Sequence, residues 1–330
     1  MHEYHLRVFV FQFVMKVPKM ATNPKAPLKT PPPVPTTHTK LFETLVELIR
    51  VTSTNLPPDV RNSVTTALEK EKSGTAGEYA MKVIQRNIDI ACGVSQPLCQ
   101  DTGSILFFVK TPVGYDQITF SEVCEAAVAK ATELGYLRQN SVDSITGQNS
   151  GNNLGPGTPT IYFEQHRSEE LDIRLALKGG GCENVGAQYS LPDSRLGAGR
   201  DLDGVRKVVL DAVYQAQGKG CGPGILGVVI GGDRSTGFSY SKKLFLRTME
   251  DTNTDPRLAE LEQRILQEAN SLGIGPMGFG GNTTLLGVKI ASLNRLPASY
   301  FVSVSYMCWA FRRQGLKASS DGTIKEWIYK

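Results

Sequence analysis

Three of the six cysteines sit where a thiolate could reach a ligand. Cys99 lies in Gln96-Pro97-Leu98-Cys99-Gln100-Asp101-Thr102-Gly103 and Cys221 in Gly218-Lys219-Gly220-Cys221-Gly222-Pro223-Gly224; Cys308 ends the apolar run Tyr306-Met307-Cys308. The first two read as loops between a helix and a strand, the third as a strand end. Dispersed thiolates suit a soft metal, and three of them can hold a four-iron cluster whose fourth iron stays open. Spacings of 122 and 87 residues leave open the plainer reading, free cysteine as a small buried hydrophobe. Cys124 falls on the core face of a helix and Cys92 near a helix end, and both read as packing residues. No CxxC pair is present, and a secreted disulfide scaffold would be denser in cysteine.

Glycine marks where backbone could approach a ligand. The 33 glycines cluster at 147–157, 179–181, 218–237 and 273–281. Such loops can adopt positive φ and turn amides toward an anion, although ordinary turns use glycine too. No GxGxxG follows a strand and opens a helix, and there is no GxxxxGK[ST], so a nucleotide cofactor is not expected. Of four histidines only His166 lies beyond the first 40 residues. That argues against a histidine triad, a His-rich zinc site or a histidine general base.

The elements that must position these residues follow from periodicity. Leu41, Leu45, Leu48 and Ile49 recur at helical spacing, and further helices are expected at 58–71, 76–92, 120–135, 201–217 (capped by Asp201), 236–247 and 256–272. Strands are expected at 105–110, 159–164, 171–177, 225–230, 284–292 and 299–306, with 159–164 and 171–177 read as a hairpin. Helices and strands alternate irregularly, which favours an α+β fold with mixed sheets and packed helices over a doubly wound sheet.

The first 40 residues hold six Lys/Arg, one acid and seven of the 18 prolines. Residues 1–39 read as a basic, proline-rich disordered tail, 40–317 as the working domain, and 318–330 as a C-terminal extension. The remainder of the chain is close to neutral, so no nucleic-acid surface is expected. The apolar stretch Val8–Met15 is too short to span a bilayer and lacks a clear cleavage site, and Met20 could equally be the start. A reducing, cytoplasmic location is expected, with no membrane association.

Five ordered motifs carry a resemblance. Gln96–Gly103 (QPLCQDTG), Lys178–Asn184 (KGGGCEN), Gly220–Gly232 (GCGPGILGVVIGG), Gly278–Gly287 (GFGGNTTLLG) and Ala298–Arg313 (ASYFVSVSYMCWAFRR) resemble the iron–sulfur hydro-lyases, the class I fumarases and L-tartrate dehydratases. The similarity runs over about residues 40–315 and matches the α-subunit or N-terminal half of that family. It implies that Cys99, Cys221 and Cys308 ligate a [4Fe–4S] cluster, and that Gln100 and Asp101 face substrate, with Asp101 assisting proton transfer or holding the hydroxyl. It also implies that Arg138 pairs with a substrate carboxylate and that the Gly180 and Gly181 backbone reaches substrate. Cys182 stands where many relatives carry Ser and is not counted as a ligand. Leu296 stands about where single-chain fumarases carry a histidine, so the catalytic base stays unassigned.

The activity so implied is reversible hydration of fumarate to malate; the alternatives are dehydration of L-tartrate or another hydroxy-dicarboxylate, and a non-catalytic iron–sulfur electron-transfer protein. The family places further cationic groups in a C-terminal half. A β-subunit is therefore expected to complete a small-dicarboxylate site, in an α2β2 assembly.

Overall fold

The computed structural model describes residues 29–330; the apolar stretch at Val8–Met15 and the alternative start at Met20 lie outside them. Its helices in chain order are α1 (Thr39–Thr54), α2 (Pro58–Lys70), α3 (Ala76–Val94), α4 (Gln117–Glu133), α5 (Gly180–Asn184), α6 (Leu202–Ala216), α7 (Arg234–Lys243) and α8 (Pro256–Ser271). The strands are β1 (Ser104–Pro112), β2 (Thr160–His166), β3 (Leu171–Lys178), β4 (Ala187–Ser190), β5 (Gly224–Ile230), β6 (Leu285–Ser292), β7 (Phe301–Met307), β8 (Arg312–Ala318) and β9 (Ile324–Trp327).

Two mixed sheets result, an α+β architecture. One runs β2-β1-β3-β8-β9 and the other β4-β7-β5-β6. In the first, Ile105, Phe107 and Val109 alternate along β1 toward one face, where Leu41, Leu45 and Leu48 of α1 and Phe120, Val123 and Ala127 of α4 bury them. Asp116 caps α4, its carboxylate accepting from the Ile118 and Thr119 amides at 3.0 Å. The second sheet is covered on one face by α6 and α8, through Val205, Val208, Leu261 and Ile265 against Leu226, Val228 and Ile290. A third apolar cluster, from α2 and α3, lies under the junction and includes Leu98, Cys182, Cys308 and Phe311.

The expected hairpin does not form. β1 lies between β2 and β3, parallel to the first and antiparallel to the second. β1 is buried along nearly its whole length, and such a strand is best served by partners on both edges. The helix expected at 236–247 ends at Lys243 and continues as a 3₁₀ turn over Leu244–Leu246. Residues 318–330, expected as an extension, supply β9 and the buried Tyr329, so they continue the first sheet.

Candidate functional site

The loop cysteines stand at strand ends that meet. Ser104 of β1 is opposite Lys178 of β3, so Cys99–Gly103, entering β1, lies beside Gly179–Cys182, leaving β3. Ile225 of β5 is opposite Met307 of β7, which brings Cys221 beside Cys308. The Trp309 amide donates to the Cys221 carbonyl at 3.3 Å across that gap. The chain then passes directly into β8, where Arg312 is opposite Leu177 of β3. The turn after Cys308 thus joins the two sheets. Cys182 Sγ lies 3.9 Å from the Gly220 carbonyl and ties α5 to the Cys221 loop.

Short-range bonds fix each arm. The Leu98 amide donates to Ser53 O at 2.9 Å and Asn87 Nδ2 donates to Leu98 O at 2.9 Å, anchoring the Cys99 segment to α1 and α3. The Asp101 amide donates to Cys99 Sγ at 3.4 Å, a contact that favours a thiolate or a metal-bound sulfur. Asp101 accepts from the Gly103 amide at 2.8 Å and the Gly180 amide at 2.6 Å, so its carboxylate holds the two motifs together. Gly103 has φ +76°, and a Cβ there would lie 2.4 Å from the Lys178 carbonyl, so only glycine fits. Arg138 is drawn in by its backbone: Thr102 Oγ1 donates to its carbonyl at 2.7 Å and accepts from its amide at 2.9 Å. Its guanidinium is exposed, without a hydrogen-bond or ion-pair partner among the described residues. Gln100 and Gly180 are also exposed and Gly181 is half-buried. Asp101, Asn140, Gly180 and Lys242 line a cavity of about 410 Å³ beside the cysteines. Neither this cavity nor a larger one of about 770 Å³, over the outer face of β1 and β2 against α7, has a cysteine in its lining.

The thiols lie in one another's fields. Burial pushes the Cys221 thiol up, and the neighbouring Cys182, Cys99 and Asp101 add to it. Cys308 is pushed up by its hydrogen bond with Cys182 and by burial, while the same bond draws Cys182 down to about 7. Crowded thiols resist ionising together unless a cation joins them, and metal binding is what deprotonates such a set. Among the described residues no three His, Cys, Asp or Glu side chains converge on a point for a single ion. A four-iron cluster does not require that, since each thiolate holds its own iron. Three cysteines on separate loops, with an amide already directed at one sulfur, fit that donor set.

Other placements differ from expectation. Cys124 is fully buried in α4, but Cys92 is exposed on the last turn of α3 and is no core residue. His166 is opposite Pro112, at the end of β1 away from the cysteines and about 26 Å along the strand from Ser104; its Nε2 lies 2.7 Å from Glu170 O. Leu296 is exposed ahead of β7, the end opposite Cys308. Further groups around the site carry no recognisable signal in their residue type alone: Thr102, Asn140, Lys178, Glu183, Lys242 and Arg312. Lys242 Nζ donates to Glu183 Oε1 at 2.6 Å, and the buried Lys178 Nζ makes a charge contact with Glu183 Oε2 at 3.0 Å without hydrogen-bond geometry. Lys178 and Arg312 were visible inside quoted motifs, but burial of a cation is not legible from its type.

Fold and site together define an α+β enzyme scaffold in which loop cysteines gather at a sheet junction beside a polar cavity. Residues 42–317 match the family model described as fumarate hydratase (fumerase), and the chain belongs to that family. A protein of Geobacillus stearothermophilus provisionally named a class I fumarate hydratase is 51% identical over 295 residues, 88% of this chain and 57% of the relative. The chain thus spans little more than half the length of that relative. The L(+)-tartrate dehydratase subunit alpha of Escherichia coli K12 is 32% identical over 87% of this chain and 93% of its own. A Methanocaldococcus jannaschii protein provisionally named as the same subunit is 35% identical over its full length. No helix among the described residues is long and apolar enough to cross a membrane.

Proposed function

We propose that this chain is the α-type half of a [4Fe–4S] hydro-lyase that interconverts fumarate and malate. Cys99, Cys221 and Cys308 would hold the cluster; the working domain spans residues 40–317 together with 318–330, whose β9 and Tyr329 continue the first sheet, and a tail at 1–39 precedes it. The observation that carries the reading is the meeting of three cysteine loops at one sheet junction, next to the cavity lined by Asp101 and Gly180. When bound, the cluster supplies an open iron as a Lewis acid that eases carbon–oxygen cleavage.

The chain's own residues do the rest. Arg138 would offer a planar fork to a dicarboxylate from a backbone that Thr102 ties beside Asp101. Asp101 orients the Gly180 turn and is the carboxylate placed to hold the substrate hydroxyl or a proton. Gln100 and the half-buried Gly181 amide supply neutral donors, which can stabilise enolate-like charge without reorganising, while the Gly180 amide is held by Asp101 and sets the turn that brings its backbone to substrate. Arg138 serves one carboxylate, and a second buried carboxylate needs another cation. A β-subunit is the proposed source, in keeping with relatives named as alpha subunits that this chain matches over nearly their full length. An α2β2 assembly and a cytoplasmic location complete the reading; the six free cysteines suit a reducing compartment. The same two relatives favour L-tartrate as a second substrate reading. An electron-transfer role is less favoured, because it calls for no exposed arginine beside the cluster.

The test is anaerobic reconstitution with iron and sulfide, with and without the cognate β-subunit, assayed on fumarate, malate, tartrate and mesaconate. Turnover of fumarate and malate only in the presence of the β-subunit is expected. Full turnover by this chain alone would sink the split site, and turnover of tartrate alone would move the substrate.

A further inference from the structure

Arg312 and Arg313 open β8 and are almost fully enclosed, at 1% and 0% exposure. Arg313 has company: it pairs with Asp59 and lies against the rings of Phe311 and Tyr329, 4.4 and 4.6 Å from their centres. Arg312 has none. Its Nε and Nη1 are buried without a hydrogen-bond partner, and no carboxylate among the described residues pairs with it. A guanidinium cannot escape burial by losing its proton, because its pKa lies too high. A lone buried charge costs more than a marginally stable fold can easily absorb. An anion therefore belongs beside it.

The fold places sulfur there. Arg312 follows Cys308 by one short turn and is opposite Leu177, whose strand leads through Lys178 into the Cys182 turn. Cys308 and Cys182 pack in one buried cluster with Phe311, the residue just before Arg312. Lys178, the neighbouring buried cation, already faces Glu183. At 1% exposure the side chain is enclosed, and the lining of the open cavity does not include it.

We propose that Arg312 is a built-in counter-charge for the iron–sulfur centre, its Nε and Nη1 donating to the sulfur of the Cys308 thiolate or of the cluster itself. The inference rests on the reading of Cys99, Cys221 and Cys308 as cluster ligands. Arg312 is then a positioning residue: it holds the charge and orientation of the centre and does not touch substrate. Two consequences have opposite signs. With the cluster present, removing the cation makes the centre harder to reduce and quicker to lose iron. With the cluster absent, the arginine is an unpaired buried charge, and an apolar residue of similar volume should be no worse.

The test compares the full-length wild-type chain with R312K and R312M, each reconstituted anaerobically. The readouts are iron and sulfide content, the reduction potential from an EPR-monitored titration, and the melting temperature of the metal-free chain. R312M should disfavour reduction about tenfold, about 59 mV for one electron, and lose iron faster in air. R312K should stay close to wild type. Metal-free R312M should melt no lower than metal-free wild type. An unmoved potential with full iron retention, a metal-free R312M that melts lower or does not fold, or a variant that changes only KM would each overturn the inference. A wild-type chain that takes up no cluster sinks the functional reading and this inference with it, whereas a normal wild-type centre with an unmoved R312M sinks this inference alone.

Discussion

The placement of Cys99, Cys221 and Cys308 near strand ends was legible because loop and strand context can be read along the chain. Cys92 was misread because the exposure of a helix's last turn depends on what packs against it. Serine is a hard oxygen donor that serves a soft centre poorly. Replacing Cys99, Cys221 or Cys308 by serine should therefore abolish the iron–sulfur absorbance of the reconstituted chain, and β-subunit-dependent turnover with it. Cys124→Ser should keep the absorbance. At 0% exposure in α4 it costs only packing and a buried hydroxyl, about 1–3 kcal/mol by thermal unfolding. Loss of the centre in Cys124→Ser and its survival in Cys308→Ser would overturn the ligand assignment. Asp101 offers a complementary test, since its carboxylate is bonded to Gly180 N at 2.6 Å and Gly103 N at 2.8 Å. Asp101→Asn keeps the shape but removes the charge, and its one acceptor oxygen can serve only one of the two backbone amides. Turnover should fall by about 10²–10⁴, the range for a positioned acid–base group, with iron content unchanged.

The helices could be read from their apolar stripes, but strand pairing could not. β1 has partners from distant parts of the chain, so local pattern suggested a hairpin where β1 intervenes. β8 was missed because Arg312, Arg313 and Gln314 look like a solvated run, yet all three are buried. A polar segment becomes a central strand only when the surrounding fold supplies partners such as Asp59 and the rings of Phe311 and Tyr329. Similar long-range dependence holds the Cys221 loop. Glu71, just past α2 and 8% exposed, accepts from the Thr283 amide at 2.8 Å and the Asn282 amide at 3.0 Å. The same loop donates from the Met277 amide to Gly222 O at 3.0 Å, one residue from Cys221. Glu71→Ala should leave the buried Thr283 amide unsatisfied at about 1–3 kcal/mol. The expected readouts are a lower melting temperature and faster iron loss from the reconstituted chain. Wild-type values for both would show that the loop does not depend on this carboxylate.

The two sheets share more than the cysteine junction. Tyr329 lies beyond β9 of the first sheet, and its hydroxyl donates to Leu246 O at 2.6 Å in the 3₁₀ turn that follows α7. Arg174 of β3 donates to the same hydroxyl at 3.2 Å, and the Arg313 guanidinium stacks 4.6 Å from the ring centre. One side chain therefore links β3 and β8 to the turn packed against β5 and β6. The family match ends at residue 317, so nothing in the shared motifs announces this link. Composition could not announce it either, since a late tyrosine is as compatible with a frayed terminus as with a buried one. Burial to 6% exposure makes its ring a core group. Tyr329→Ala should cost about 3–5 kcal/mol, as for other buried aromatics. Tyr329→Phe keeps the ring and its cation contact but strands the Leu246 carbonyl, and should cost about 1 kcal/mol. Thermal or denaturant unfolding should thus rank wild type above Tyr329→Phe and Tyr329→Ala last. Removal of residues 319–330 should be at least as damaging as Tyr329→Ala, because β9 leaves with the tyrosine. A truncated chain that melts like wild type would show that the link is idle and that the sheets are held at the cysteine junction alone.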